Sequence, residues 1–204
     1  MSLTGKRICA YLLDVFLIYV FLTLLVNIRY LNPYYEKYNE SYTRYNEIVE
    51  KYYNKEISFE EMQEQNMDNY YDINRYSISN NIEIVVVLFL YFVIFQKYNN
   101  GQTLGKKIMK IKVVGDNKTS IWRYLLRMLP MYFILVGGII PLIINSSLIL
   151  LLSKEIYLKI SQVVTYVFLG IGIIDFVMIT MNKDKKGLHD IISKTTVELI
   201  EKDK

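Results

Sequence analysis

The stretch ICAYLLDVFLIYVFLTLLVNI, running from Ile8 to Ile28, decides the fold class. Its only acidic residue is Asp14, and nearly every other position is apolar. At 1.5 Å per helical residue, about 20 such residues cross a hydrocarbon core of about 30 Å. Lys6 and Arg7 precede the run, as they would a signal peptide. The run is longer than a signal h-region and no small-x-small cleavage site follows, so it reads as a retained membrane span.

Three further apolar runs extend the pattern. Ile84 to Phe95 reaches spanning length once Asn81–Glu83 and Gln96 are added. Met128 to Leu152 contains Pro130, Gly137, Gly138 and Pro141. Proline in a lipid-embedded helix frees backbone groups that neighbours must satisfy, which predicts a kink or break near 137–141. Ile160 to Met181 carries Gly170, Gly172 and one acid, Asp175. The expected architecture is all-α: an integral membrane four-helix bundle with an extracytoplasmic helical hairpin and a small cytoplasmic strand pair.

Composition agrees. Hydrophobic residues make up 52% of the 204, mean hydropathy is +0.19, and the 22% that are charged fall in blocks between the apolar runs. Residues 31–81 hold five basic residues (Lys37, Arg44, Lys51, Lys55, Arg75) against ten acidic ones, a net of −5. Residues 97–127 hold eight basic residues against Asp116 alone, a net of +7. Lys and Arg in short loops favour the cytoplasm, so 97–127 is expected inside. The expected division follows: a first span with cytoplasmic N-terminus over 1–30, an outer segment 31–81, a second span 82–97, a basic cytoplasmic loop 98–127, a third span 128–152, an outer turn 153–159, a fourth span 160–181 and a cytoplasmic tail 182–204. This is a multi-pass protein of the cell membrane whose first partner is the lipid bilayer. Charge blocks separated by spans argue for orientation, not for nucleic-acid binding. One cysteine, Cys9, and one histidine, His189, exclude an internal disulfide and a histidine-cluster metal site. No nucleophile–base pair or cofactor motif is visible, so neither enzyme activity nor a cofactor is expected.

In the outer segment, Tyr35, Tyr38, Tyr42, Tyr45, Val49 and Tyr52 recur at spacings of three and four, one stripe of a helix. Ser58 precedes Glu61 by three, a capping-box pattern that starts a second helix lined by Phe59, Met62, Tyr70 and Ile73. The tyrosine stripe is either a docking surface for a protein partner or for lipid headgroups, or the packing face of a helical hairpin, where tyrosine keeps one end of its ring wet. The Asn-x-Ser/Thr matches at Asn39, Asn117 and Asn145 are short enough to arise by chance.

Between the second and third runs lies Asn100-Gly101-Gln102-Thr103-Leu104-Gly105-Lys106-Lys107. It is one residue short of a P-loop and has Lys107 where a magnesium-binding Ser or Thr is needed, which argues against nucleotide. Ile108 to Val114 alternates apolar residues with lysines and reads as a strand, Asp116-Asn117 as a turn, and Ser120 as the cap of a helix through Trp122 and Arg123 to Arg127. Leu188 to Ser193 reads as a helical turn and Thr195 to Ile200 as a strand that pairs with 108–114.

Together, Lys6-Arg7 with Asp14, the Gly101–Lys107 stretch with Val113-Val114, and Gly187-Leu188-His189-Asp190 resemble the RDD family of bacterial membrane proteins. The family is named for one arginine and two aspartates; the resemblance places them at Arg7, Asp14 and Asp190. It covers the first span and the chain from about residue 85 onward, leaves 31–81 as an insert, and implies fewer spans in the family core than the four read here. An ion/proton antiport role has been proposed for some members, which makes transport of a proton-coupled monovalent cation or small solute one expectation. The other is a non-transporting adaptor or immunity-type protein that binds a partner through its outer hairpin.

The buried charges frame that choice. Arg7 and Asp14 share a helix face two turns apart, about 10 Å along the axis. Asp14 and Asp175 lie at similar depth from the cytoplasmic edge. Ionisable groups at that depth face the bundle interior and find partners. Asp14 and Asp175 could share a proton or hold an ion; alternatively Asp14 pairs with Arg7, Arg123 or Arg127 and locks helices together. His189-Asp190 has a structural reading too, as a helix cap or a contact to the basic loop.

Overall fold

In the computed structural model, which describes residues 1–115, 120–133 and 137–200, the first apolar run is one uninterrupted helix, α1 (Leu3–Val26). The Ser2 hydroxyl caps it by accepting from the Gly5 N–H at 3.2 Å, so the helix starts ahead of the apolar run and includes Arg7. Two charged helices follow, α2 (Tyr35–Tyr53) and α3 (Phe59–Tyr76). Both capping-box bonds form at the start of α3, Glu61 N–H to the Ser58 hydroxyl at 3.2 Å and Ser58 N–H to Glu61 Oε2 at 2.8 Å. The pair folds back on itself: Tyr52 meets Phe59 edge-on at one end, and Asn32 donates to the Tyr76 carbonyl at the other.

The hairpin's most buried residues are not its tyrosines. The stripe on α2 is half-buried, with Tyr42 exposed, while Ser41, Asn66 and Asn69 are buried. Arg44 joins them, donating to Asn69 Oδ1 at 3.2 Å and to the Ser41 hydroxyl at 3.0 Å. Of the residues expected to line α3, Met62 and Ile73 are half-buried, whereas Phe59 and Tyr70 are exposed. Asparagine at these positions satisfies backbone as well as side chains, as in the Asn66 bond to the Tyr45 carbonyl at 3.3 Å, and its polarity hid it from an apolar-periodicity reading.

Next comes α4 (Ile78–Tyr98), whose Leu90–Phe95 stretch is wound as a π-helix. After it come α5 (Leu104–Ile108), β1 (Ile111–Gly115) and α6 (Ile121–Met128). The strand is shorter than 108–114: Ile108 closes α5, and Lys110 turns the chain at φ 56°. The turn expected at Asp116-Asn117 lies outside the described residues.

The run from Met128 to Leu152 does not form one helix. Instead, β2 (Tyr132–Phe133) pairs antiparallel with β3 (Gly137–Gly138), and α7 (Ile139–Leu151) begins only then. Pro130 has no N–H to extend α6 and its ring clashes with the preceding turn. Gly137 takes φ 84°, which a side chain would disfavour, whereas Pro141 sits in the first turn of α7, where a missing N–H costs nothing. The break therefore starts upstream of the expected 137–141. At 13 residues α7 is about 20 Å long, less than a hydrocarbon core.

The chain ends in α8 (Lys154–Met181), α9 (Leu188–Ser193) and β4 (Thr195–Leu199). Strands β1 and β4 are antiparallel with Ile111 opposite Leu199, Val113 opposite Val197 and Gly115 opposite Thr195. Their alternation buries Ile111, Val113 and Val197 on one face.

Three described helices, α1, α4 and α8, are long and apolar enough to cross a membrane. A core of Val15, Ile18 and Leu22 on α1 with Leu88, Phe92 and Val93 on α4 holds the first two together. Much of the remaining apolar surface faces outward: Leu24, Val163, Tyr166 and Ile173 are all more than half exposed. A surface of this kind suits lipid rather than water. Contacts sort the helix ends into two groups. Lys154 pairs with Asp68, and Tyr157 meets Tyr71 with ring centroids 5.6 Å apart, which puts the start of α8 against the hairpin. The start of α1, the end of α8, α5, α6 and α9 gather at the opposite end around Arg7.

Candidate functional site

Two carboxylate networks occupy the Arg7 end. The first is built on Asp14, whose side chain is 1% exposed. Tyr91, on the π-wound part of α4, donates its hydroxyl to Asp14 Oδ1 at 2.6 Å. The Thr103 hydroxyl donates to Oδ2 at 2.5 Å and the Gly105 N–H to Oδ1 at 2.8 Å. Lys106 Nζ stands 3.9 Å from Oδ2. The Gly101–Lys107 stretch therefore does use helix-start donors to hold an anion, and the anion is the protein's own Asp14. A Cβ at Gly105 would sit 2.2 Å from the Ala10 carbonyl oxygen and 2.9 Å from Asp14 Oδ1, so only glycine lets α5 close on α1.

The second network is built on Asp190 and Asp175. Asp190 is fully buried and accepts from Arg7 Nη2 at 2.5 Å, from Arg127, and from the Gly187 N–H at 2.9 Å. Arg127 also donates to the Thr195 hydroxyl at 2.8 Å, and Arg7 to the Lys185 carbonyl. Asp175, on α8, takes the His189 N–H at 2.9 Å and the His189 ring Nδ1 at 2.6 Å. The other ring nitrogen, Nε2, lies 3.2 Å from Arg7 Nη2. A guanidinium can only donate, so Nε2 is the acceptor and the proton sits on Nδ1, facing Asp175. His189 is thus neutral and wedged between an acid and an arginine. A Cβ at Gly187 would meet Asp175 Oδ1 at 2.7 Å, which explains the glycine before Leu188-His189-Asp190.

Electrostatics follow from burial. His189 is driven below the usual histidine range by burial and by Arg127, the Asp175 hydrogen bond acting against them. Burial lowers Lys106 to about 8, opposed by Asp14. For Asp190 burial works against the charge, but Arg127 and Arg7 outweigh it and hold the carboxyl well below the carboxylate range. Between the networks lies a cavity of about 500 Å³, largely apolar, with Asp14, Lys106, Arg127, Asp175 and His189 in its wall.

All four sequence-chosen residues, Arg7, Asp14, Asp175 and Asp190, meet at this end, but not in the expected pairs. Asp14 takes Lys106, Thr103, Tyr91 and a backbone N–H rather than Arg7, Arg123 or Arg127. Arg7 and Arg127 go to Asp190 instead. The residues that sequence reasoning missed are Tyr91, Thr103 and Lys106. Their signals were a tyrosine inside an apolar run and a Thr before a short helix, each too common to stand alone.

The RDD family model matches residues 1–194. The chain belongs to the RDD family. It is accordingly a membrane protein, and the match brackets the α2–α3 hairpin. No curated protein and no solved structure matches the chain. The arginine and aspartates that name the RDD family are, at the positions assigned by resemblance, the centres of the two networks: Asp14 of the first, Arg7 and Asp190 of the second.

Proposed function

We propose that this RDD protein carries a proton-coupled monovalent cation or small solute across the membrane, with the Asp175–His189 pair as the proton-exchanging group. The supporting observation is the placement of the His189 ring, with Nδ1 2.6 Å from Asp175 Oδ2 and Nε2 3.2 Å from Arg7 Nη2. A proton added at Nε2 turns an acceptor into a donor, which can no longer receive Arg7 Nη2. The imidazolium then repels Arg7 and turns toward Asp190 Oδ2, 3.5 Å away. Protonation loosens the tie between α1, α8 and α9 at the wall of the cavity, so that proton uptake and cavity access are linked. Asp14, saturated by its donors, is the lock of the site and not its carrier. No bond to a substrate is made or broken, so the activity is non-enzymatic.

The topology that supports this reading has four crossings and both termini in the cytoplasm. Helices α1, α4 and α8 supply three. The chain leaves α4 at the Arg7 end and enters α8 at the hairpin end, so 99–153 supplies the fourth, as a broken path through α6, β2–β3 and α7. The lysines and arginines of 97–127 favour the Arg7 end as the inner one. Proton-linked Na+, K+ and Li+ flux in reconstituted vesicles tests the function. Wild type should move at least one of them and Asp175→Asn none, with the variant still inserted. No flux of any of the three by the wild type overturns the reading.

A second reading rests on the hairpin, which exposes Tyr42, Tyr53, Phe59 and Met67 away from the bundle. These would dock a protein partner in an adaptor. Replacing 31–81 by a short loop separates the two readings: transport survives it and adaptor function is lost.

A further inference from the structure

The cavity that the Asp175–His189 pair borders has a second wall, and that wall is apolar. Leu169, Gly172, Ile173, Phe176 and Ile179 of α8 line it. They recur as i, i+3, i+4, i+7 and i+10, one stripe of a helix. The stripe is about 15 Å long, half the depth of a hydrocarbon core of about 30 Å. Ile8, Tyr11 and Leu12 of α1 line the same cavity, and α1 and α8 hardly pack on each other. The volume of about 500 Å³ lies within the range of small-molecule sites, which are mostly apolar with a few polar groups that fix the ligand.

The charged groups in the wall differ in what they have left to offer a ligand. Asp14 accepts from Tyr91, Thr103 and Gly105, and Asp175 from His189, so both acids are already engaged. Arg7 and Arg127 are bound to Asp190. Lys106 is different. Its ammonium carries three donors, gives one to Thr103 Oγ1 at 3.2 Å, and stands 3.9 Å from Asp14 Oδ2, beyond hydrogen-bond reach. Among the described residues no other oxygen takes its remaining N–H groups. Spare donors on a cation, beside acids already engaged, favour an anion over a cation. The apolar stripe favours a hydrocarbon chain over a hydrated ion. Charge balance agrees. Arg7, Lys106 and Arg127 cancel Asp14, Asp175 and Asp190 while His189 is neutral, and a proton on His189 leaves one positive charge that an entering anion cancels. We infer that the cavity is a binding site for an amphipathic monoanion, its chain against the α8 stripe and its charge against Lys106. This names the small solute of the proton-coupled reading, and rests on that reading only for the charge balance.

The full-length chain in phosphatidylcholine nanodiscs tests this with radiolabelled decanesulfonate, an anion whose own charge does not change with pH, read against empty nanodiscs. Wild type should retain label that unlabelled decanesulfonate displaces. Ethanesulfonate, which lacks the chain, and decyltrimethylammonium, which reverses the charge, should not displace it. Ile173→Trp, at an exposed position of α8, fills the cavity without removing a charged group and should abolish retention. Lys106→Met should weaken the apparent affinity about tenfold, the loss of one charged hydrogen bond, and Lys106→Arg should keep most of it. No label above empty nanodiscs, equal displacement by decyltrimethylammonium, or unchanged retention in Ile173→Trp would overturn the inference. Where Lys106→Met does not fold, because Lys106 also serves Asp14, the competitors and Ile173→Trp decide alone. Proton linkage is read separately. His189 faces Asp175 on α8, Arg7 on α1, Arg127 on α6 and Asp190 on α9. With its proton accompanying the anion, retention should be stronger at about pH 6 than at about pH 8 in the wild type and level in His189→Asn. Retention that ignores pH leaves the anion site standing and removes its proton coupling. Cation flux without retained label leaves the proton-coupled reading standing and overturns the site.

Discussion

Asp14 and Asp175 come from two different membrane helices, look onto the same cavity from the same end of the bundle, and are treated in opposite ways. Asp14 is held by two hydroxyls, a backbone N–H and a lysine, so every lone pair that matters has a donor. Among the described residues Asp175 is hydrogen-bonded by His189, through its ring and its backbone N–H. A carboxylate surrounded by fixed donors holds its neighbours in place. A carboxylate that shares one hydrogen with an imidazole can pass it on. Position along the helix thus says little about role; the donors that the rest of the chain brings to each acid decide it.

The largest expected effect is at the lock. Gly105→Ala drives a methyl into the Ala10 carbonyl and the Asp14 carboxylate, a clash that exceeds about 4 kcal/mol unless α5 leaves α1. Folded protein recovered after size exclusion should fall to a small fraction of wild type, and near-normal recovery would show that α5 does not need to close there. Asp14→Ala comes next. It strands Lys106, Thr103 and Tyr91 in a buried site, at about 3–5 kcal/mol, the range for one partner removed from a buried charge network. Chemical or thermal unfolding in detergent measures it.

Asp175→Asn should be milder in stability, about 1–2 kcal/mol, because the amide keeps one acceptor for His189. It should nonetheless abolish flux. If it costs as much stability as Asp14→Ala, the contrast between the two acids fails and both are structural.

The smallest effect is a pH slope. His189 is lowered in the folded state, so the unfolded chain takes up its proton near pH 6.5 while the folded chain does not. The His189 contribution is then full above about pH 7 and declines as pH falls through 6.5, by up to about 1.4 kcal/mol per pH unit. Asp190 adds nothing in this window, because its lowered carboxyl titrates only in strong acid. Unfolding midpoints from pH 7.5 to 5.5 should slope in the wild type and flatten in His189→Asn.

The sequence alone determined that the chain is a membrane protein, because apolar length and charge blocks act locally: α1 and α8 need only their own residues to be helical and lipid-facing. It also determined the cap of α3, the β1–β4 pairing and the three motifs that carry the RDD resemblance. It could not determine which charges pair. Arg7 lies seven residues from Asp14 on the same helix, yet its carboxylate is Asp190, far along the chain, because α9 folds back beneath α1. The break before α7 was legible as prolines and glycines, but its position depended on where α6 ends at Met128. The buried asparagines, Asn66 and Asn69 in the hairpin and Asn80 on α4, were invisible to hydrophobic periodicity, which registers apolar stripes only. Partner choice among buried polar groups is set by three-dimensional proximity in a low-dielectric interior, and only the tertiary structure supplies that.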